Sequence, residues 1–176
     1  FYDDLGAAQG EQSPYYRWYN FHPFPDEYDA WWGIKNLPAV NELEKSYVDY
    51  IIEGDNSIIK YWLRAGASGW RLDVADELPD EFIAKIRAAM NEESPDTYLL
   101  GEVWEDGTTK IAYSQRRKYL LGRETNGLMN YPFRSATLDY LHGADVTAVA
   151  DALMQICEHY PAPALNCAMN FLSTHD

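Results

Sequence analysis

The sequence predicts an α/β fold, a parallel sheet with flanking helices that makes up a partial TIM (β/α)8 barrel of about four strands. Short apolar runs alternate with segments of helical period from about residue 46 onward, the pattern of successive βαβ units with right-handed crossovers. Three of the polar stretches that end apolar runs carry carboxylates: Gly69-Trp-Arg-Leu-Asp73, Leu100-Gly-Glu102 and Ser173-Thr-His-Asp176. Acidic side chains at the C-terminal ends of parallel strands converge on one face, which is where a (β/α) barrel builds chemistry.

Residues 1–45 read as an irregular loop subdomain, rich in Tyr, Trp, Pro, Asp and Asn without a sustained period. Residues 46–176 read as the partial barrel. Asn56 or Ser57 caps a helix running through Leu63, with Ile58, Ile59, Trp62 and Leu63 as its apolar face and Gly66 to end it. That spacing assigns Trp62 to the core. A strand over 69–74 follows, then a helix opened by Pro79 with Phe82, Ile83, Ile86 and Met90 at helical spacing. The second strand covers 97–104.

A helix is expected around 109–121, then a turn at Asn126-Gly127 and a third strand over 128–131. Asp145 caps a helix whose face is Val146, Val149, Leu153 and Ile156, and Pro161-Ala-Pro163 breaks it. Residues 164–172 read as the fourth strand.

Composition narrows the function. The formal net charge of −14, from 28 acidic and 14 basic residues among 176, opposes binding to nucleic acid or anionic lipid, and a neutral or cationic partner is favoured. No apolar run approaches the roughly 18 residues of a membrane span. Cys157 and Cys167 lack metal-site spacing and read as small core residues. His22, His142, His159 and His175 are scattered, which speaks against a transition-metal hydrolase. Compartment, cytoplasmic or secreted, is left open, because the chain opens without Met.

Alternation along a strand puts Arg71 and Asp73 on one face, where the cation favours an ionised carboxylate; a nucleophile and a structural ion pair both fit this arrangement. Glu102 sits among apolar and aromatic neighbours, a setting expected to raise its pKa and keep it protonated as a general acid, against the alternative of an exposed strand-end glutamate. Asp73 and Glu102 lie 29 residues apart, about one βα repeat, so the two can emerge from adjacent strands. His175 and Asp176 suit vicinal hydroxyls or a solvated turn. Trp104 and the Trp31-Trp32 pair are candidate platforms for sugar rings.

Together these motifs resemble the alpha-amylase family of glycoside hydrolases, in particular its neopullulanase, cyclomaltodextrinase and amylopullulanase branch. Gly69-Trp-Arg-Leu-Asp-Val-Ala-Asp-Glu77 is similar to the family's nucleophile strand, Gly101-Glu-Val-Trp104 to its general-acid strand, and Phe171-Leu-Ser-Thr-His-Asp176 to the strand bearing the third carboxylate. Leu37-Pro-Ala-Val-Asn41 resembles the branch motif Met-Pro-Lys-Leu-Asn, with three departures. The resemblance implies strands equivalent to the fourth through seventh of the family barrel. It implies Asp73 as nucleophile, Glu102 as acid/base and Asp176 as transition-state stabiliser. Arg71 and His175 then contact the nucleophile and sugar hydroxyls, while Asp76 and Glu77 line the acceptor side, and Trp104 and Trp32 remain substrate-binding candidates. The implied activity is retaining hydrolysis of α-glucans such as starch, maltodextrin, pullulan or cyclodextrin. A transglycosidase using the same residues and a non-catalytic glucan-binding relative are the alternatives. The resemblance implies no certain cofactor; calcium is possible in the full-length parent, since the family's calcium-ligating asparagine belongs to a third-strand motif that this sequence does not contain. A partial barrel exposes strand edges, so this piece alone is expected to be inactive and either to self-associate or to be a module of a larger chain.

Overall fold

A computed structural model describes residues 5–175, in two compact units that divide between Ile58 and Ile59. The first unit contains short 3-10 turns and isolated bridges, followed by α1 (Lys45–Val48) and a π-helical turn at Asp49–Glu53. Glu44 caps α1 by accepting from the Tyr47 amide at 3.0 Å. Aromatic side chains pack this unit in place of regular structure. Trp18 meets Tyr47 edge-on at 5.1 Å and donates from Nε1 to Ser46 Oγ at 2.8 Å.

Regular α/β order begins with α2 (Ile58–Arg64), β1 (Gly69–Leu72), α3 (Asp80–Glu93) and β2 (Tyr98–Gly101). Gly66, at φ +107°, turns the chain after α2 as its position implies. Trp62 is 53% exposed, so the helical spacing that assigned it to the core is overturned. Pro79 is the N-cap residue of α3 and not its first helical residue. The apolar face of α3 is buried as the spacing predicts: Phe82, Ile83, Ile86 and Met90 belong to the core, as do Leu99 and Leu100 of β2. Each such side chain stabilises by about 1.5–3 kcal/mol when fully buried.

β1 and β2 pair in parallel, Gly69 opposite Tyr98 and Leu72 opposite Gly101. β2 pairs in parallel with β5 (Gly127–Leu128), giving the order β1-β2-β5. Asn126 fixes that junction, its Oδ1 accepting from the Leu99 amide at 2.7 Å and from Arg87. Three parallel strands are therefore seen among the described residues, where four were expected.

The fourth strand fails for a local reason. Ala162–Asn166 is a short helix, α6, with Pro163 in its first turn, where a missing N–H is no loss. The chain then returns alongside β5 for a single parallel bridge, Met129 to Met169. A short apolar run is ambiguous between the two states, and here the prolines begin a helix instead of ending one.

The expected helix over 109–121 is absent as well. In its place stand β3 (Ile111–Ala112) and β4 (Gln115–Arg116), an antiparallel hairpin. Arg117, 6% exposed, holds the segment in this form by donating to Asp80 Oδ1 at 2.5 Å, Asp76 O at 2.8 Å and Leu78 O at 2.5 Å. These long-range bonds override local periodicity.

The run 128–131 is only partly strand. α4 (Tyr131–Leu141) starts there, capped by Asn130 Oδ1 accepting from Phe133 N at 3.1 Å, with Pro132 in the first turn. α5 (Val146–His159) packs on α4 and is capped by Asp145 as expected. Val149 and Ile156 are buried on its inner face, whereas Val146 is 65% exposed. Cys157 is exposed on α5 and Cys167 half-buried, so neither is a buried core residue; both are free thiols.

Candidate active site

The ladder between β1 and β2 continues past the strand ends and delivers two carboxylates side by side. Glu102 N donates to Leu72 O at 2.9 Å, and Ala75 N donates to Glu102 O at 2.9 Å. Between these bonds lie Asp73 and Val74. Val74 adopts a left-handed conformation, φ 41° and ψ 55°, which a β-branched residue avoids. The conformation is accompanied by a specific contact: Val74 N donates to Glu102 Oε2 at 2.9 Å. Strained backbone of this kind clusters where structure around it enforces a functional geometry.

Glu102 is 2% exposed, and its partners come from the end of β1, from Trp104 and from Tyr131. Its Oε1 accepts from Trp104 Nε1 at 3.1 Å and from the Tyr131 hydroxyl at 3.2 Å. Arg71 Nη2 lies 3.0 Å from the same oxygen. That nitrogen has no well-directed hydrogen bond, so the contact is a charge contact. The other arm of the guanidinium, Nη1, binds Asp73 Oδ1. One cation thus serves both carboxylates, and Asp73 remains open to solvent at 73% side-chain exposure.

The expectation of a raised Glu102 pKa is overturned. Burial does push it up and is the largest single influence, but the Val74 amide, the Trp104 indole, the Arg71 charge and the Tyr131 hydroxyl together hold it below the usual glutamate value. An apolar neighbourhood was legible in the sequence; the donors reaching into it were not.

Asp76 and Glu77 follow on the 3-10 turn Ala75–Glu77. Lys110 Nζ bonds Asp76 Oδ2 at 2.8 Å and Glu105 Oε2 at 2.6 Å, and the Tyr113 hydroxyl donates to Glu77. Trp104 is 58% exposed, with its ring 6.2 Å from that of Tyr131. Trp32 belongs to the first unit, 70% exposed and stacked on Trp31 at 4.5 Å. His175 is exposed, and Asp176 lies outside the described residues.

Tyr131 is the site residue that sequence reasoning missed. Its ring packs edge-on against Phe171 at 4.9 Å, and Arg134 Nε donates to Leu172 O at 3.1 Å, so α4 joins Glu102 to the segment leading toward His175. The signal that could have found it is Asn130-Tyr-Pro132, an N-cap followed by proline, which places Tyr131 at a helix start facing the sheet end.

Among the described residues no group of three or more His, Cys, Asp or Glu side chains could hold a metal ion, and no step below uses one. No described helix is long and apolar enough to cross a membrane.

The model of the alpha-amylase catalytic domain matches residues 16–176. The chain belongs to this family. Among its relatives, an amylopullulanase from Thermoanaerobacter thermohydrosulfuricus is 35% identical over 98% of this chain and 13% of its own length. A cyclomaltodextrinase from Geobacillus thermopakistaniensis (strain MAS1) is 31% identical over 95% of this chain and 28% of its own. The chain thus spans well under a third of either relative. In structure it is similar to the cyclic alpha-maltosyl-(1→6)-maltose hydrolase from Arthrobacter globiformis in complex with maltose, with a TM-score of 0.84 and 26% identity over 97% of this chain and 38% of that one. The alpha-amylase catalytic domain is the frame in which Asp73, Arg71 and Glu102 are read below.

Proposed function

We propose that the protein containing this chain is a retaining glycosidase acting on α-glucans, with Asp73 as nucleophile and Glu102 as acid/base. The observation that supports this reading is the shared guanidinium: Arg71 contacts both Asp73 and Glu102 at the ends of adjacent parallel strands. An exposed carboxylate suits attack on an anomeric carbon, and a buried, hydrogen-bonded one suits proton transfer at the glycosidic oxygen. In a retaining enzyme these carboxyl groups stand about 5–5.5 Å apart.

Asp73 forms a bond to the anomeric carbon as the C–O bond to the departing sugar breaks, and Glu102 gives its proton to that oxygen. Water then attacks the glycosyl-enzyme, losing its proton to Glu102 and releasing Asp73. The resting Glu102 carboxylate is poised for the second half. For the first half it requires protonation, the form that its burial favours. Asp176, by family resemblance, completes the set as a stabiliser of the oxocarbenium-like transition state.

A fluorinated α-glucosyl fluoride that traps the intermediate on the full-length protein tests this. A label mapped to Asp73, α-configured products and loss of turnover by at least about 10³-fold in Asp73→Asn are expected. A label elsewhere, β-configured products, or half the activity retained in Asp73→Asn overturns the assignment.

A further inference from the structure

The β3–β4 hairpin is built in a way its sequence does not favour. Its two turn residues, Tyr113 and Ser114, both have positive φ, 52° and 62°. A two-residue hairpin loop with the mirror-image turn requires this and ordinarily uses Asn-Gly, because bulky side chains resist the left-handed region. Here a tyrosine occupies the first of these positions, 71% exposed, and Ile111 beside it is 68% exposed.

The hairpin is tied to both strands that carry the carboxylates. Lys110, at its base, ion-pairs with Asp76 after β1 and Glu105 after β2, and these two partners hold its pKa up against the effect of burial. The Tyr113 hydroxyl donates to Glu77, four residues beyond Asp73. Arg116 Nη2 donates to Thr108 O at 3.1 Å. The phenol oxygen is anchored, and the residue as a whole is largely exposed. An exposed, positionally fixed aromatic ring held beside a carboxylate is what recognises a sugar: the ring meets the C–H face and the carboxylate takes the hydroxyls.

We propose that Tyr113 is a specificity-determining residue, a platform for the glucan units beyond the scissile bond, with Glu77 as its polar partner. The inference rests on the assignment of Asp73 and Glu102 above. Glu102 protonates the leaving oxygen of the departing sugar, and the hairpin is tied to the segments that follow β1 and β2, through Asp76, Glu77 and Glu105.

Full-length protein is assayed with maltohexaose, which has sugars on both sides of the cleaved bond, and with α-maltosyl fluoride, whose leaving group is fluoride. Tyr113→Ala is expected to lower kcat/KM about tenfold on maltohexaose and to change it less than about twofold on the fluoride. Tyr113→Phe, which keeps the ring, should stay within about threefold of the wild type on both. Equal losses on the two substrates, no loss on maltohexaose, or a Phe variant as impaired as the Ala variant would each overturn the platform role. If the wild type cleaves neither substrate, the assignment of Asp73 and Glu102 falls. Calorimetric binding of maltohexaose to Asp73→Asn protein, with and without Tyr113→Ala, then decides the platform alone: about tenfold weaker binding upholds it and unchanged affinity sinks it.

Discussion

Replacing Tyr131 with Phe removes one hydroxyl from Glu102 and little else. The ring contacts of Tyr131 with Phe171, at 4.9 Å, and with Trp104, at 6.2 Å, need no oxygen. The lost bond is a 3.2 Å donation to Oε1 of a glutamate that is 2% exposed. A hydrogen bond to a charged group is worth about 1.5–3 kcal/mol and one to a neutral group about half as much. The ionised form therefore loses roughly 1 kcal/mol more than the protonated form, so the pKa of Glu102 should rise. Titration of the 13C-labelled Glu102 carboxyl in both proteins reads this directly.

The same change has a pH signature in stability. Glu102 is held below its ordinary value of 4.5 in the fold, so it contributes stability that is present above 4.5 and lost as pH falls through the folded value. Tyr131→Phe should cost about 1.5–3 kcal/mol at neutral pH, and the gap should narrow to about half of that below the folded pKa. A Glu102 pKa that stays put or falls would refute the view that donors outweigh burial. A stability gap that is the same at every pH would do so as well.

Glu124 behaves in the opposite sense. It is 5% exposed, Oε2 has no hydrogen-bond partner, and burial followed by the Asp80 charge pushes its pKa up to about 7. Its contribution is full below about 4.5 and lost as pH rises through about 7, so Glu124→Gln should flatten that decline and gain up to about 3 kcal/mol at pH 8, measured by urea denaturation at pH 5 and pH 8. Gly69→Ala should be severe, because a Cβ there would stand 1.9 Å from the Tyr98 carbonyl oxygen, a backbone atom fixed by the β1–β2 ladder. A loss of about 2–4 kcal/mol is expected in the denaturation midpoint, and a loss under about 0.5 kcal/mol would show that the strands can part without consequence.

Period-two alternation placed Arg71 and Asp73 on one face, and their side chains meet. The 29-residue interval from Asp73 to Glu102 placed the two carboxylates on neighbouring strands, and β1 and β2 do pair in parallel. Both inferences used spacing within one repeat. What failed depended on partners far along the chain. Tyr131 is 29 residues from Glu102, and Arg117 reaches 41 residues back to the Asp76 carbonyl, so neither the ionisation of Glu102 nor the hairpin at 111–116 was written in its local sequence. The lost fourth strand and the unforeseen α4 are a different matter: Pro163 and Pro132 each stand in a first helical turn, a local signal masked by the apolar residues around them.

The consequence of that long-range wiring is concentrated in Arg71. A guanidinium offers rigid, divergent N–H arms, so one side chain can hold an exposed carboxylate at Nη1 while Nη2 rests against a buried one. An ammonium on a flexible stem can sit with one or the other, and would leave Glu102 with neutral donors only or Asp73 without its cation. The charge on each carboxylate is therefore felt by the other through a shared partner. When Asp73 is esterified in the proposed cycle its charge disappears, and the whole of the Arg71 field falls on Glu102, favouring the ionised form that deprotonates water. The exposed Asp73 and the buried Glu102 are thus two carboxylates held by a single side chain, with Arg71 between them.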